Sequence, residues 1–328
     1  MAQVEQRQVE TDEAGMRLDR WFKVHFPSLG YGKLQKLLRS GAVRIDGGRV
    51  KHDTRVQPGQ RIRIPPHVTN TESINHAAAG QSRSSEAEDG DSLSKMLLYE
   101  DAKVLVFNKP SGLAVQGGSG LTRHVDAMLE AWRSRKNEKP RLVHRLDRDT
   151  SGVLVVARTR GAAQALTASF RHRETEKTYW ALVKGVPPKP EGRISTWLVK
   201  EHTAQGDHVR VCKHGEPGAD NAISFYRIIE HAGRRLSWLE MQPHTGRTHQ
   251  LRVHAAHIGC PIIGDPKYFE ADHNWDFPGG IQKRLHLHAR RISIPHPDGQ
   301  GKIEITAPLP PHMVQSWNLI GFSRDSDV

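Results

Sequence analysis

The chain has 328 residues, more than one average domain, so one large domain with a smaller module is expected. Hydrophobic residues make up 36% and charged residues 26%; no apolar run approaches the roughly 20 residues needed to cross a bilayer, which excludes a helical membrane protein. The net charge of +12 favours polyanionic partners, nucleic acid or an anionic surface.

The N-terminal residues carry no apolar stretch of the kind a signal peptide needs, which places the chain in the cytoplasm. Leu18, Trp21, Phe22 and His25 then recur at helical spacing, predicting an amphipathic helix that stops near Pro27. A second short helix, Lys33 to Arg39, turns Leu34, Leu37 and Leu38 inward and leaves Lys33, Lys36 and Arg39 outside. Val43 and Ile45 alternate with Arg44, and Gly47-Gly48 supplies a hairpin turn into Arg49-Val50. Arg61-Ile62-Arg63-Ile64 alternates again, and Pro65-Pro66 closes the strand.

Residues 15–65 contain twelve lysines and arginines, among them Arg17, Arg20, Lys33, Lys36, Arg39 and Arg44, against Asp19, Asp46 and Asp53. A charge run is ordinarily a solvated face. Cations spread over two helices and a strand of one small unit are better explained by binding to nucleic-acid phosphates. Residues 66–94 reverse the charge, with Glu72, Glu86, Glu88, Asp89 and Asp91 against Arg83. They are poor in apolar residues, and the composition predicts a flexible acidic linker.

Beyond it, residues 95–322 form the larger domain. Val104–Phe107, Gly152–Ala157 and Tyr179–Val183 read as buried strands, Thr122–Ser134 and Gly161–Arg171 as helices, and another helix follows Gly246. Without regular βαβ alternation, the class is α+β with a long, mainly antiparallel sheet. Cys212 and Cys260 form neither a Cys-x-x-Cys pair nor a zinc spacing, which argues against a disulfide framework.

The densest chemical signal is His144-Arg145-Leu146-Asp147-Arg148-Asp149-Thr150-Ser151-Gly152, directly before a buried strand. A carboxylate flanked by arginines stays ionised and oriented, fit to act as nucleophile or general base. On residues alone, a structural ion-pair cluster explains the block equally well. A second block, His244 to His254, has Gly246 for a turn, Thr245 or Thr248 as helix caps, and Arg252 projecting from the helix. His249, His254 and His257 suggest a metal, but no acid accompanies them and the His-Glu-x-x-His pattern is missing. His286 and His288 read as core-edge or surface residues. Tyr179, in an apolar strand, is as readily core as ligand, and Arg252 could serve a helix end.

Taken together, Phe107–Gly112, His144–Gly152, Lys177–Gly185 and Thr245–His254 resemble the motifs of the RluA-type pseudouridine synthases, in family order. Within that family the chain looks most like the branch acting on large-subunit ribosomal RNA, through Val115–Gly120 and Arg148–Leu154. Residues 15–65 resemble the alpha-L (S-four-type) RNA-binding module. The resemblance implies that Asp147 is the catalytic aspartate, that Tyr179 stacks on the target base, and that Arg252 pairs with the aspartate. It places Leu251 in the pocket wall and Arg145 in the RNA where the uridine leaves, with Asn108, Lys109 and the Gly117–Gly120 loop nearby. Gln116 stands where members often have His. The implied reaction uses no cofactor or metal, the partner is ribosomal RNA, and a monomer suffices. The same chemistry on tRNA, or a non-catalytic assembly protein, remains open.

Overall fold

The computed structural model describes residues 5–26, 29–69, 79–117, 123–134, 137–203, 206–269 and 279–323, and the chain forms two units, Met1–Ser85 and Glu86–Val328. In the first unit, helix α1 (Leu18–His25) buries Leu18, Trp21 and Phe22, and α2 (Tyr31–Arg39) buries Leu34, Leu37 and Leu38. Both stripes pack on Ile45, Ile62 and Ile64. Those side chains belong to a four-stranded sheet ordered β1 (Glu5–Gln8), β4 (Arg61–Ile64), β2 (Arg44–Ile45), β3 (Gly48–Arg49). The hairpin turn is Asp46-Gly47, at φ 48° and 79°, one residue before the expected glycine pair. That is the left-handed geometry of a tight hairpin.

The unit also starts earlier than its charge suggested. Strand β1 precedes Gly15, and the buried Glu13 accepts hydrogen bonds from the Trp21 indole at 2.9 Å and the Glu10 amide at 2.9 Å. Arg20, Lys33, Lys36 and Arg39 are exposed, whereas Arg17 is tied to Asp19 at 2.7 Å. Arg44 lies directly opposite Arg49 on one side and Arg63 on the other. Like charges in register oppose sheet formation, and the Arg44 guanidinium is held by the carbonyls of Gly41 and Gly47, each at 3.1 Å.

Within the acidic stretch 66–94, residues 70–78 lie outside the described residues, but two helices flank them: α3 (Pro66–Thr69) and α4 (Ala79–Met96). Leu93 of α4 is fully buried with Leu105, Phe107 and Met128. Val68 of α3 is likewise buried, in the core of the first unit, and average composition had concealed both anchors.

The second unit is built on an eleven-stranded sheet. Its main path runs β11 (Gly206–Cys212), β10 (Glu191–Thr203), β12 (Asp220–Ala232), β13 (Leu236–Pro243), β9 (Glu176–Lys184), β14 (Leu287–Pro295), β8 (Ser151–Ala157), β6 (Val104–Lys109), β5 (Leu97–Glu100). Strands β15 (Lys302–Thr306) and β7 (Arg141–Leu142) add to β14 and β8. Every described pairing is antiparallel except β14 with β8, so the sheet is mixed but mainly antiparallel. Strand β8 is buried along its whole length. Leu154 and Val156 pack with Leu105 and Phe107 on one face, and Val153 and Val155 pack with Leu166 and Ile292 on the other. This explains its unbroken apolar run.

Helix α5 (Val125–Met128) is only a turn long and continues as a 3-10 turn to Trp132, shorter than the expected Thr122–Ser134. Helices α6 (Arg160–Arg171), α7 (Gln250–His257) and α8 (Pro311–Ile320) complete the unit. Gly152 opens β8 at φ 109°, and a Cβ there would sit 2.2 Å from the Ala289 oxygen. Only glycine lets β14 approach so closely at this point.

His286 and His288 are core residues, each fully buried, contrary to the edge or surface reading. Strand alternation cannot tell a half-wet face from one covered by a helix, and here Ser316 of α8 meets His286 at 2.8 Å. His288 sits between the Ser151 hydroxyl at 2.9 Å and the Ala307 carbonyl at 3.2 Å. His254 is likewise buried between Thr196 and Ser224. Burial holds His254 and His286 down to about 4 and His288 to about 3. Below the ordinary histidine value of 6.5, the unfolded chain takes up protons that the native state refuses. Stability is therefore full at neutral pH and falls with acidification, by about 1.4 kcal/mol per pH unit for each group. Between pH 7.5 and 5.5 the three should cost about 4 kcal/mol. Urea unfolding at both values measures this, and equal midpoints would refute it.

Candidate active site

Asp147 lies in the turn between β7 and β8. The Thr150 amide donates to its carbonyl at 3.2 Å, and Leu146 and Thr150 on either side are buried, so the turn has little freedom. The following carbonyl, Arg148, accepts from the Gly112 amide at 2.9 Å and from the Lys109 ammonium at 3.0 Å. Lys109 is itself fully buried, and its other two protons go to the carbonyls of Pro110 and Leu113. Burial lowers its pKa to about 7 against the pull of Asp149 and Asp147.

Helix α7 brings the second block to the same place. Its N-cap is His249, in the left-handed region at φ 52°, with no capping side chain. Neither Thr245 nor Thr248 caps it: Thr245 instead donates to the Gln250 side chain at 2.7 Å and accepts from the Ile223 amide at 2.9 Å. The turn aims Arg252 inward, where its Nη1 stands 3.5 Å from Asp147 Oδ2. The tight partner of Arg252, however, is Asp265. Two parallel bonds of 2.7 Å join them, and the Asp265 side chain is wholly buried. Burial alone would weaken the hold of Arg252 on its proton, but the contact with Asp265 outweighs it and raises the pKa. Arg252 is thus a fixed cation that faces Asp147 without being consumed by it.

These two blocks line a cavity of about 570 Å³, in the size range of ligand pockets. Asp147 is the one acid among its described lining residues. Around it stand Arg145, Arg171, Arg173, Lys177 and Arg247, with Arg252 behind. Arg145 is exposed and makes no ion pair among the described residues, whereas Arg247 contacts Asp220 at 3.3 Å. Tyr179 and Leu251 line the wall, and Tyr179 is two residues from Lys177 on β9, hence on the same face. Burial, reinforced by the charge of Asp147, raises the Tyr179 phenol and keeps it protonated. Burial also lowers Lys177.

Asn108 and Lys109 do not line this cavity. Asn108 donates to the Pro308 carbonyl at 3.3 Å, and Lys109 acts on the Asp147 turn from behind. Most of the Gly117–Gly120 loop lies outside the described residues. His144 is no cation: the Val155 amide donates to its Nε2 at 2.8 Å, its ring stacks on Phe170, and burial beside Lys177 lowers it to about 3. Sequence reasoning missed Asp265 altogether. No group of three or more metal-ligating side chains occurs among the described residues, and His249 and His254 serve separate hydrogen-bond networks. A second depression, of about 610 Å³ beside α8, is apolar and holds no ionisable group.

The RNA pseudouridylate synthase family model matches residues 103–257, which contain both blocks. A ribosomal large subunit pseudouridine synthase C from Vibrio cholerae is 36% identical, with 96% of each chain covered. The chain belongs to the RNA pseudouridine synthase family. The synthase is also 34% identical to Arabidopsis thaliana RNA pseudouridine synthase 4, mitochondrial, over 94% of this chain and 80% of that one. Among solved structures, human RNA pseudouridylate synthase domain containing 4 is similar at a TM-score of 0.59 and 27% identity, covering 72% of the synthase and 96% of the human chain. Among the described residues of the synthase, no helix is long and apolar enough to cross a membrane.

Proposed function

We propose that this synthase converts selected uridines of large-subunit ribosomal RNA to pseudouridine, with Asp147 as the nucleophile. One observation carries the reading: a single carboxylate stands in a basic pocket, with a buried arginine 3.5 Å away. The cations suit a phosphate-bearing substrate, while the lone acid is free to attack carbon. Replacing the N1–C1′ bond of uridine by a C5–C1′ bond, with the C5 proton lost and N1 protonated, is an isomerisation without net oxidation or reduction, so the reaction calls for no redox cofactor. Tyr179 would hold the detached uracil by stacking. Arg145, exposed and uncommitted, would fill the stack that the uridine leaves, offsetting part of an extrusion cost of a few kcal/mol. Leu251 supplies apolar wall. Asn108 and Lys109 act indirectly, Lys109 by bracing the Asp147 turn.

The choice of ribosomal RNA rests on relatives such as the Vibrio cholerae synthase, whose name states the large subunit. It is supported by the first unit, read as an alpha-L module binding phosphates through Arg17, Arg20, Lys33, Lys36, Arg39 and Arg44. The stretch 66–94 would tether that module to the catalytic domain. We read the enzyme as a cytoplasmic monomer, consistent with two free cysteines. Pseudouridine mapping of ribosomal RNA from cells lacking the gene tests the substrate: specific large-subunit sites should vanish and return with the wild-type gene. An unchanged ribosomal map beside lost sites in tRNA would move the substrate there, and no lost sites at all would reject the proposal.

A further inference from the structure

His249 sits in a backbone conformation that a non-glycine residue adopts only when its surroundings hold it there. Its side chain is mostly buried, and its Nε2 lies 3.9 Å from Asp147 Oδ2. The other ring nitrogen, Nδ1, is 2.8 Å from the hydroxyl of Tyr268. That hydroxyl accepts a hydrogen bond from the Val209 amide at 3.1 Å, which leaves its own proton available for Nδ1. An Nδ1 that accepts leaves the ring proton on Nε2, the nitrogen facing Asp147.

The same short segment controls both neighbours of the carboxylate. Asp265 grips Arg252 at 2.7 Å, and its Oδ1 accepts from the amides of Lys267 at 2.9 Å and Tyr268 at 3.2 Å. Tyr268 in turn lies under the Arg252 guanidinium, 5.2 Å from its ring centre, and fixes His249. Arg252 and His249 make their closest approaches to one and the same oxygen of Asp147, Oδ2.

Resting on the reading of Asp147 as nucleophile, we infer that His249 is a positioning residue. Locked by Tyr268 as the neutral Nε2–H tautomer, it joins Arg252 in steering Oδ2, so that Oδ1 is the oxygen that attacks. The geometry accounts for a histidine at a helix start where no capping bond is made: its ring is needed in the pocket, and the strained backbone aims it there. Burial keeps the ring neutral, to about 4, although Asp147 pulls the other way. Tyr268, pushed up to about 12 by burial, keeps its proton. The Nε2–H gives direction without adding a second full charge that would compete with Arg252.

Kinetics and imidazole spectra of the full-length protein test this. His249→Ala should lower kcat by about 10²-fold, the scale of a slight misplacement at the reacting centre, with KM changed only a few-fold. His249→Gln, which can present an N–H near the same place, should recover much of that loss. A residue serving the fold alone would lower the melting temperature without this split or this rescue. Nitrogen NMR of histidine-labelled wild type, with the His249 signal identified by its loss in His249→Gln, should show the Nε2–H tautomer, and Tyr268→Phe should mix the two forms. If His249→Ala does not fold, Tyr268→Phe carries the test through its reduced kcat and altered spectrum. Wild-type kcat in His249→Ala, or an Nδ1–H tautomer in the wild type, overturns the inference. Asp147→Asn assayed alongside separates the two readings: turnover there defeats the nucleophile assignment, whereas an inactive Asp147→Asn beside a normal His249→Ala defeats only the role of His249.

Discussion

Asp147→Asn should reduce uridine isomerisation by at least about 10⁴-fold while leaving the fold and RNA affinity nearly intact. The amide has the shape of the carboxylate but neither its charge nor its nucleophilicity. The loss of charge should barely disturb stability, because Arg252 keeps its two 2.7 Å bonds to Asp265 and gives up only a 3.5 Å contact. The cations proposed to bind phosphate are untouched, so affinity should stay within several-fold of wild type. Single-turnover assays with a ribosomal RNA fragment, beside binding and thermal unfolding, measure all three quantities. Near-normal turnover would remove Asp147 from the role of nucleophile. A large drop in melting temperature would show that its contact with Arg252 is structural.

Asp265→Ala presents the opposite balance. Arg252 is buried, only 4% of its side chain being exposed, and Asp265 is its sole tight partner among the described residues. Removing that carboxylate strands a guanidinium charge away from water, at a cost of about 3–5 kcal/mol. Two backbone amides, of Lys267 and Tyr268, lose their acceptor in the same step. For a domain of this size the melting temperature should fall by roughly 10 °C. Turnover should fall as well, since a released Arg252 swings toward Asp147 and pairs with the group that must stay free. The double variant Asp265→Ala, Arg252→Met separates the effects: stability should return in part, because no charge is left buried although the Lys267 and Tyr268 amides still lack their acceptor, while activity should not. An unaltered melting temperature in Asp265→Ala would mean that the arginine is compensated elsewhere.

Acid sensitivity of the fold reaches the site itself. Burial keeps His254, His286 and His288 neutral in the core, but it also holds down His144 and His249, which line the cavity of Asp147. Loss of activity on acidification should therefore accompany unfolding, and the two are compared by assay and circular dichroism on the same samples.

Much of the protein was legible in the order of its residues. Buried strands such as Ser151–Ala157 announce themselves as unbroken apolar runs, and α1 and α2 as stripes at helical spacing, because both patterns are local consequences of backbone geometry. Asp147, Tyr179 and Arg252, which the fold brings to one cavity, stood out as candidates for another reason: each sits inside a short block whose residue order is itself distinctive, and the family match spans those blocks. Composition was a poorer guide to the stretch 66–94, where the buried Val68 and Leu93 outweigh the average of their neighbours.

What only the tertiary structure decided is who partners whom. Asp265 and Tyr268 stand in a Gly-Asp-Pro-Lys-Tyr run with no periodicity, yet one grips Arg252 and the other orients His249. Lys109, expected at the substrate, turned out to brace the Asp147 turn from behind, and His144, at the head of the charged block, is a neutral acceptor for a strand amide. The physical reason is the same in each case. Spacing along the chain dictates which face of a helix or strand a side chain occupies. Burial, and with it charge state and hydrogen-bond direction, depends on segments far apart in sequence that meet only when the sheet is complete.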